Sequence, residues 1–201
     1  MTKITMKQQK HFFSAQRLAT IGLLSAITVV MGTTPLGFIQ LPTIKATTMQ
    51  IPVVIGAILE GPIVGGILGL IFGLFSIFQN MTAPSALSFA LINPLVSVLP
   101  RILIGILSYY GYRIFSDRNQ YLAVGTGAAV GSLVNTCGVM GMIYLLYVGE
   151  FAMNKGVDPA AAGGVIASVC LINGSIEAVF AVVISIPIII AVLKIKQKLK
   201  K

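Results

Sequence analysis

Charge is placed so sparsely along this chain that most of it can only sit in lipid. No charged residue falls between Arg17 and Lys45, between Glu60 and Arg101, or between Arg118 and Glu150. Asp158 to Glu177 and Glu177 to Lys194 are two further uncharged runs, separated by one carboxylate, and together read as one long last span. A helix that crosses a bilayer needs about 20 mostly apolar residues. A water-soluble domain carries roughly 25% charge, whereas this chain has 9% charged and 56% hydrophobic residues, too little polar surface to coat a core. The same balance excludes disorder, which needs low hydrophobicity and high charge.

The expected fold is an all-α integral membrane protein, a single bundle of six transmembrane helices occupying 1–201 as one membrane domain. The helices read as 17–32, 48–60, 62–79, 87–112, 120–148 and 163–193, the second being short for a full crossing. The fourth carries Pro94 and Pro100 inside it, and Glu60-Gly61-Pro62 is a turn signal. Lys and Arg gather on the cytoplasmic side of membrane proteins. With the N-terminus inside, eleven of the fourteen basic residues lie there: Lys3, Lys7, Lys10, Arg17, Arg113, Arg118, Lys194, Lys196, Lys198, Lys200 and Lys201. Lys45 and Lys155 fall outside, and Arg101 is left in the membrane. Both termini are therefore expected in the cytoplasm, with short basic tails at 1–14 and 194–201. The net charge of +9 is an orientation signal rather than a nucleic-acid surface, because no basic patch interleaves with aromatics. The first apolar run reads as the first span of a multi-span pattern, not as a cleavable signal peptide.

Ionisable groups inside a bilayer are costly and are functional candidates by default. There are two, Arg101 and Glu177. Arg101 has three readings: it holds a ligand carboxylate or phosphate with forked hydrogen bonds, it pairs with Glu177 and pins two helices, or it snorkels. Asn135 lies mid-helix, Asn173 lies one turn before Glu177 on the same face, and Asn80 and Asn93 flank the connection between the third and fourth helices. One such amide is usually interhelical glue. Arg101, Asn135, Asn173 and Glu177 together suit a polar chamber for a compact anionic molecule. The connector 33–47 is apolar for an external loop; it reads either as a lid with Phe38 and Leu41 facing inward or as an interfacial segment without ligand contact. Ala15, Ala19, Gly22 and Ala26 form a small-residue seam on the first helix, fit for close helix approach within the bundle or with a partner.

Enzyme signatures are missing: no H-E-x-x-H, no G-x-S-x-G and no Walker A motif occurs, and the one histidine, His11, lies in the basic tail. No catalytic residue, metal site or cofactor is expected. Cys137 and Cys170 sit in apolar runs without metal spacing and read as buried free thiols. Uphill transport would need energy from another protein.

The order of several short texts is more specific than any one of them. Pro35-Leu36-Gly37-Phe38 is followed by Ala46-Thr47-Thr48-Met49-Gln50-Ile51-Pro52, by Glu60-Gly61-Pro62, and by Asn93-Pro94-Leu95 with Pro100-Arg101-Ile102-Leu103-Ile104-Gly105. Over roughly 15–193 the chain resembles the S components of energy-coupling factor transporters. The resemblance implies a cell-membrane subunit that captures a vitamin from outside, then docks on a transmembrane T component driven by two cytoplasmic ATPase subunits. It implies docking through Gly22 and Ala26, extended by Ala15 and Ala19. The implied vitamin pocket is walled by the first loop with Phe38, by Arg101, Asn135, Asn173 and Glu177, and by Asn80. The text looks most like the pantothenate-specific branch. Riboflavin is the nearest rival, although the absence of Trp leaves only Phe and Tyr for stacking. An autonomous secondary transporter and a lipid-modifying membrane enzyme are the readings from other classes.

Overall fold

A computed structural model describes residues 15–40 and 45–198. Among them are seven α-helices: α1 (Ala15–Thr33), α2 (Ile51–Glu60), α3 (Pro62–Thr82), α4 (Ser88–Leu91), α5 (Pro94–Phe115), α6 (Gln120–Lys155) and α7 (Pro159–Lys198). Five of these, α1, α3, α5, α6 and α7, are long and apolar enough to cross a membrane. The second expected span, α2, has only ten residues, a length of about 15 Å. It is the innermost element, buried from Ile51 to Ile58 and in contact with α1, α3, α5, α6 and α7.

Helix starts follow from local chemistry. Gly61 takes φ 102°, a left-handed value open to glycine, and Pro62 begins α3 at once. Asn119 caps α6 by accepting from the N–H groups of Tyr121 and Leu122. The sequence reading of one helix over 87–112 is corrected here. Pro94 disfavours the helical conformation for the residue before it; Asn93 is extended (φ −69°, ψ 124°) and its side chain accepts from Leu95 N. The chain therefore breaks into α4 and α5. A second interruption lies in α6, where Tyr147 (φ −138°, ψ 25°) kinks the helix. Its hydroxyl accepts from Asn93 Nδ2 at 2.9 Å and its ring packs edge-on against Phe89.

The connector after α1 holds a structure that the sequence did not announce. A 3-10 turn at Pro35–Gly37 leads into strand β1 (Phe38–Gln40), which pairs antiparallel with β2 (Lys45–Thr47). Phe38 stands opposite Thr47 and packs against the main core. The tip, including Leu41, lies outside the described residues.

At the opposite end of α2, Glu60 accepts from Lys196 Nζ of α7 at 2.6 Å and sits 3.7 Å from Arg17 Nε of α1. The start of α1, the end of α2 and the end of α7 thus meet at one end of the bundle, the basic end. The other is the hairpin end. α3 and α5 cross closely enough that a Cβ on Gly69 would strike the carbonyl of Arg101, which sets the depth at which that arginine enters the bundle.

Candidate polar site beneath the hairpin

The site is built where β2 runs into α2, against the middle of α6 and α7. Glu177 is buried on α7. Its Oε1 accepts from the backbone N–H of Thr47 at 2.9 Å and from Thr47 Oγ1 at 3.3 Å. Its Oε2 accepts from Thr136 Oγ1 at 2.6 Å. Asn135 Nδ2 donates to Thr47 Oγ1 at 3.3 Å. Gln50, wholly buried, accepts from Thr47 Oγ1 through Oε1 at 3.1 Å, and its Nε2 donates to Ser132 Oγ at 3.4 Å. Thr47 is the hub. Its hydroxyl has one proton and faces two acceptors, Gln50 and Glu177, so one of them always lacks that donor.

Arg101 reaches the same region from α5, and a proline explains its posture. Pro100 has no N–H, so the carbonyl of Val96, one turn earlier, loses its helical donor. Arg101 Nη1 supplies the replacement at 3.0 Å. The guanidinium also lies 5.4 Å from the centroid of the Phe72 ring, a distance at which a cation is attracted to the ring face. Arg101 and Glu177 interact electrostatically, but among the described residues the only ion pairs are those of Glu60. Pairing of Arg101 with Glu177 is therefore not what holds α5 to α7.

Two buried atoms near this carboxylate have no hydrogen-bond partner among the described residues: Arg101 Nε, a donor, and Asn135 Oδ1, an acceptor. Leaving such a group unmade costs about 1–3 kcal/mol, more if charged. The arrangement thus offers a cationic donor for an anion, together with free acceptor capacity on Asn135 and on Gln50 or Glu177 for hydroxyl or N–H groups.

The other expected residues fall as follows. Asn173 is half-buried one turn from Glu177, and its side chain makes no hydrogen bond with another described residue. Phe38 is half-buried in the hairpin that covers the network. Asn80 stands apart: it donates to the Ser76 carbonyl and accepts from Ser85 and Ser88, so its side chain organises the turn between α3 and α4. Ala15, Ala19, Gly22 and Ala26 are all exposed on α1, and a Cβ on Gly22 would meet nothing within 4 Å. Cys137 is exposed and Cys170 half-exposed, which corrects the expectation that both are buried.

Sequence reasoning missed Thr47, Gln50, Ser132 and Thr136. For α6 the signal was present, since Ser132, Asn135 and Thr136 have the spacing that shares a helix face. Thr47 closes the expected connector and Gln50 falls in the first turn of the short second helix, where polar residues attract no notice.

A family model described as ECF transporter, substrate-specific component, matches residues 16–189. The pantothenic acid transporter PanT of Lactococcus lactis subsp. cremoris is 29% identical over 168 residues, 77% of this chain and 81% of that protein. The pantothenate transporter PanT of Leuconostoc mesenteroides subsp. mesenteroides is 28% identical over 123 residues, 59% of this chain and 60% of its own length.

Proposed function

This chain belongs to the substrate-specific components of ECF transporters, and we propose that it captures pantothenate from outside the cell for an ATP-driven importer. Membership makes it a multi-pass cell-membrane transport subunit rather than an enzyme. Pantothenate is favoured by the names of the two relatives and by chemistry. The vitamin carries a carboxylate, two hydroxyls and an amide N–H. The observation that carries the reading is the pair of open buried atoms, Arg101 Nε and Asn135 Oδ1. Arg101 takes the carboxylate. Asn135, Glu177 and Asn173 take the hydroxyls and the amide, the hairpin with Phe38 closes above, and Asn80 holds the neighbouring turn.

In this reading the whole chain is one membrane domain with six membrane segments. α2 and the hairpin together make the sixth, the hairpin entering to about half depth because α2 spans only about 15 Å from the basic end. Both termini are cytoplasmic. Support comes from the meeting of Arg17, Glu60 and Lys196 and from the crowding of basic residues on that side. The exposed face of α1 at Ala15, Ala19, Gly22 and Ala26 docks on a T component, and two cytoplasmic ATPase subunits supply the energy.

The test is purification followed by mass spectrometry of the bound small molecule, then titration with pantothenate. Pantothenate should co-purify. Arg101→Ala should weaken binding by about 10- to 100-fold, the loss of a charged hydrogen bond worth about 1.5–3 kcal/mol. Unchanged affinity in a folded Arg101→Ala protein removes Arg101 from the site. Co-purified riboflavin reassigns the vitamin, and ion-driven uptake by liposomes holding this chain alone replaces the importer by a secondary transporter.

A further inference from the structure

The seam between α6 and α7 carries a chemistry that substrate capture does not use. Gly174 of α7 faces Leu133 of α6, its would-be Cβ 3.4 Å from that side chain, and Gly163 faces Tyr144 at the same separation. The helices are antiparallel neighbours. Stepping one turn from Leu133 towards the hairpin end reaches Cys137, and the matching step back from Gly174 reaches Cys170. Two further turns lead to Tyr144 on one helix and Gly163 on the other. The two cysteines are therefore opposite one another, between two contacts where a side chain of α6 packs on a glycine of α7. Their thiols are neighbours across the seam. Both line one open groove of about 300 Å³ with Gly141, Tyr144, Ile166 and Ala167, on the outer surface of the bundle.

We propose that Cys137 and Cys170 form a reversible dithiol–disulfide site that staples α6 to α7 beside the polar network. In the oxidation the two thiols release two protons and two electrons and one S–S bond forms. A lipid-soluble two-electron oxidant of the quinone class takes them up and becomes the quinol. The groove gives such a flat apolar molecule access from the bilayer. A disulfide requires Cα atoms within about 7 Å of each other, and the two cysteines stand at matching positions of neighbouring helices and line the same groove. The bond would close a loop that contains the α6–α7 connection and fix the helix spacing near the contact of Thr136 with Glu177. Nothing in this site depends on which vitamin the protein binds.

The experiment uses the full-length protein in detergent or nanodiscs, treated with a benzoquinone or with copper phenanthroline and then with an alkylating reagent. The expected result is a monomer lighter by two hydrogens that takes up no alkyl group, and two alkyl groups after dithiothreitol. Its melting temperature should rise by on the order of 5 °C over the reduced form, fall back with reductant, and stay unchanged by oxidant in Cys137→Ser and Cys170→Ser. Two alkylated thiols after oxidation, or crosslinks only between molecules, overturn the pairing. A crosslinked monomer whose melting temperature does not rise overturns the staple. Both readouts stand whether or not pantothenate binds, so failure here is separate from failure of the assigned function.

Discussion

The molecule holds two buried or nearly buried carboxylates, and they are treated in opposite ways. Glu60, at the basic end, has a side chain about 10% exposed and sits against Lys196 and Arg17. Glu177, beneath the hairpin, accepts from the neutral groups of Thr47 and Thr136, and no salt bridge joins it to Arg101 among the described residues. The first arrangement satisfies itself and ties three helix ends together. The second keeps a cation and an anion apart and leaves Arg101 Nε and Asn135 Oδ1 open. An unpaired buried polar group destabilises the fold, and in the proposed function the ligand supplies the missing partners. In that reading the first is a structural tie and the second the place for the ligand.

That contrast can be broken most directly at Glu177. Glu177→Ala leaves the Thr47 N–H and the Thr136 hydroxyl without their acceptor. Each orphaned donor costs about 1–3 kcal/mol, and the hairpin loses its anchor to α7. Pantothenate binding should fall by more than about 100-fold and the melting temperature should drop clearly. If Glu60→Ala weakens binding as much as Glu177→Ala, the division of roles between the two carboxylates is wrong.

Thr136→Val is a milder cut at the same place. It keeps the shape and removes one hydrogen bond to a carboxylate, an interaction worth about 1.5–3 kcal/mol. Calorimetric titration should show affinity reduced by about 10-fold or more. An unchanged Kd would mean that Glu177 does not need Thr136 to meet the ligand.

At the basic end the expected effects are smaller. Lys196 and Arg17 are about 33% and 43% exposed, and exposed ion pairs contribute about 0–1 kcal/mol. Lys196→Ala should shift thermal stability by a degree or two and leave pantothenate affinity within about twofold. Raising the salt from 0.1 to 1 M should erase the difference between Lys196→Ala and the parent, since screening shortens to about 3 Å. A loss of affinity in Lys196→Ala would show that the two ends are coupled through α7.

The two ends also differ in how far they were legible in the sequence. The long helices follow from uncharged runs, and Asn135, Arg101 and Glu177 stood out because polar groups are costly in lipid. The break between α4 and α5 was hidden, because Pro94 reads equally as a residue inside a helix and as the first residue of one. The hairpin was hidden because strands of three residues carry no measurable alternation. With it went Thr47, the hub of the site, which no local pattern marks. The Glu60 tie was hidden for another reason: its partners lie at distant points of the chain, Arg17 and Lys196, and only the packing brings them together.

The smallest expected effect on binding carries the most information about transport. Gly22 lies on the exposed face of α1, outside both regions, with open space where a side chain would stand. Gly22→Leu therefore meets no clash inside the bundle, and exposed substitutions of this kind usually change stability by no more than about 0.5 kcal/mol. Pantothenate affinity should be unchanged. If α1 is the docking face, the added side chain blocks the close approach that small residues permit, and vitamin uptake by cells or by reconstituted complexes should fall to background. Binding and transport would then separate in a single variant. Uptake that survives Gly22→Leu and also Ala26→Leu would move the docking surface off this face of α1, and leave the open polar site as a capture device whose partner approaches from elsewhere.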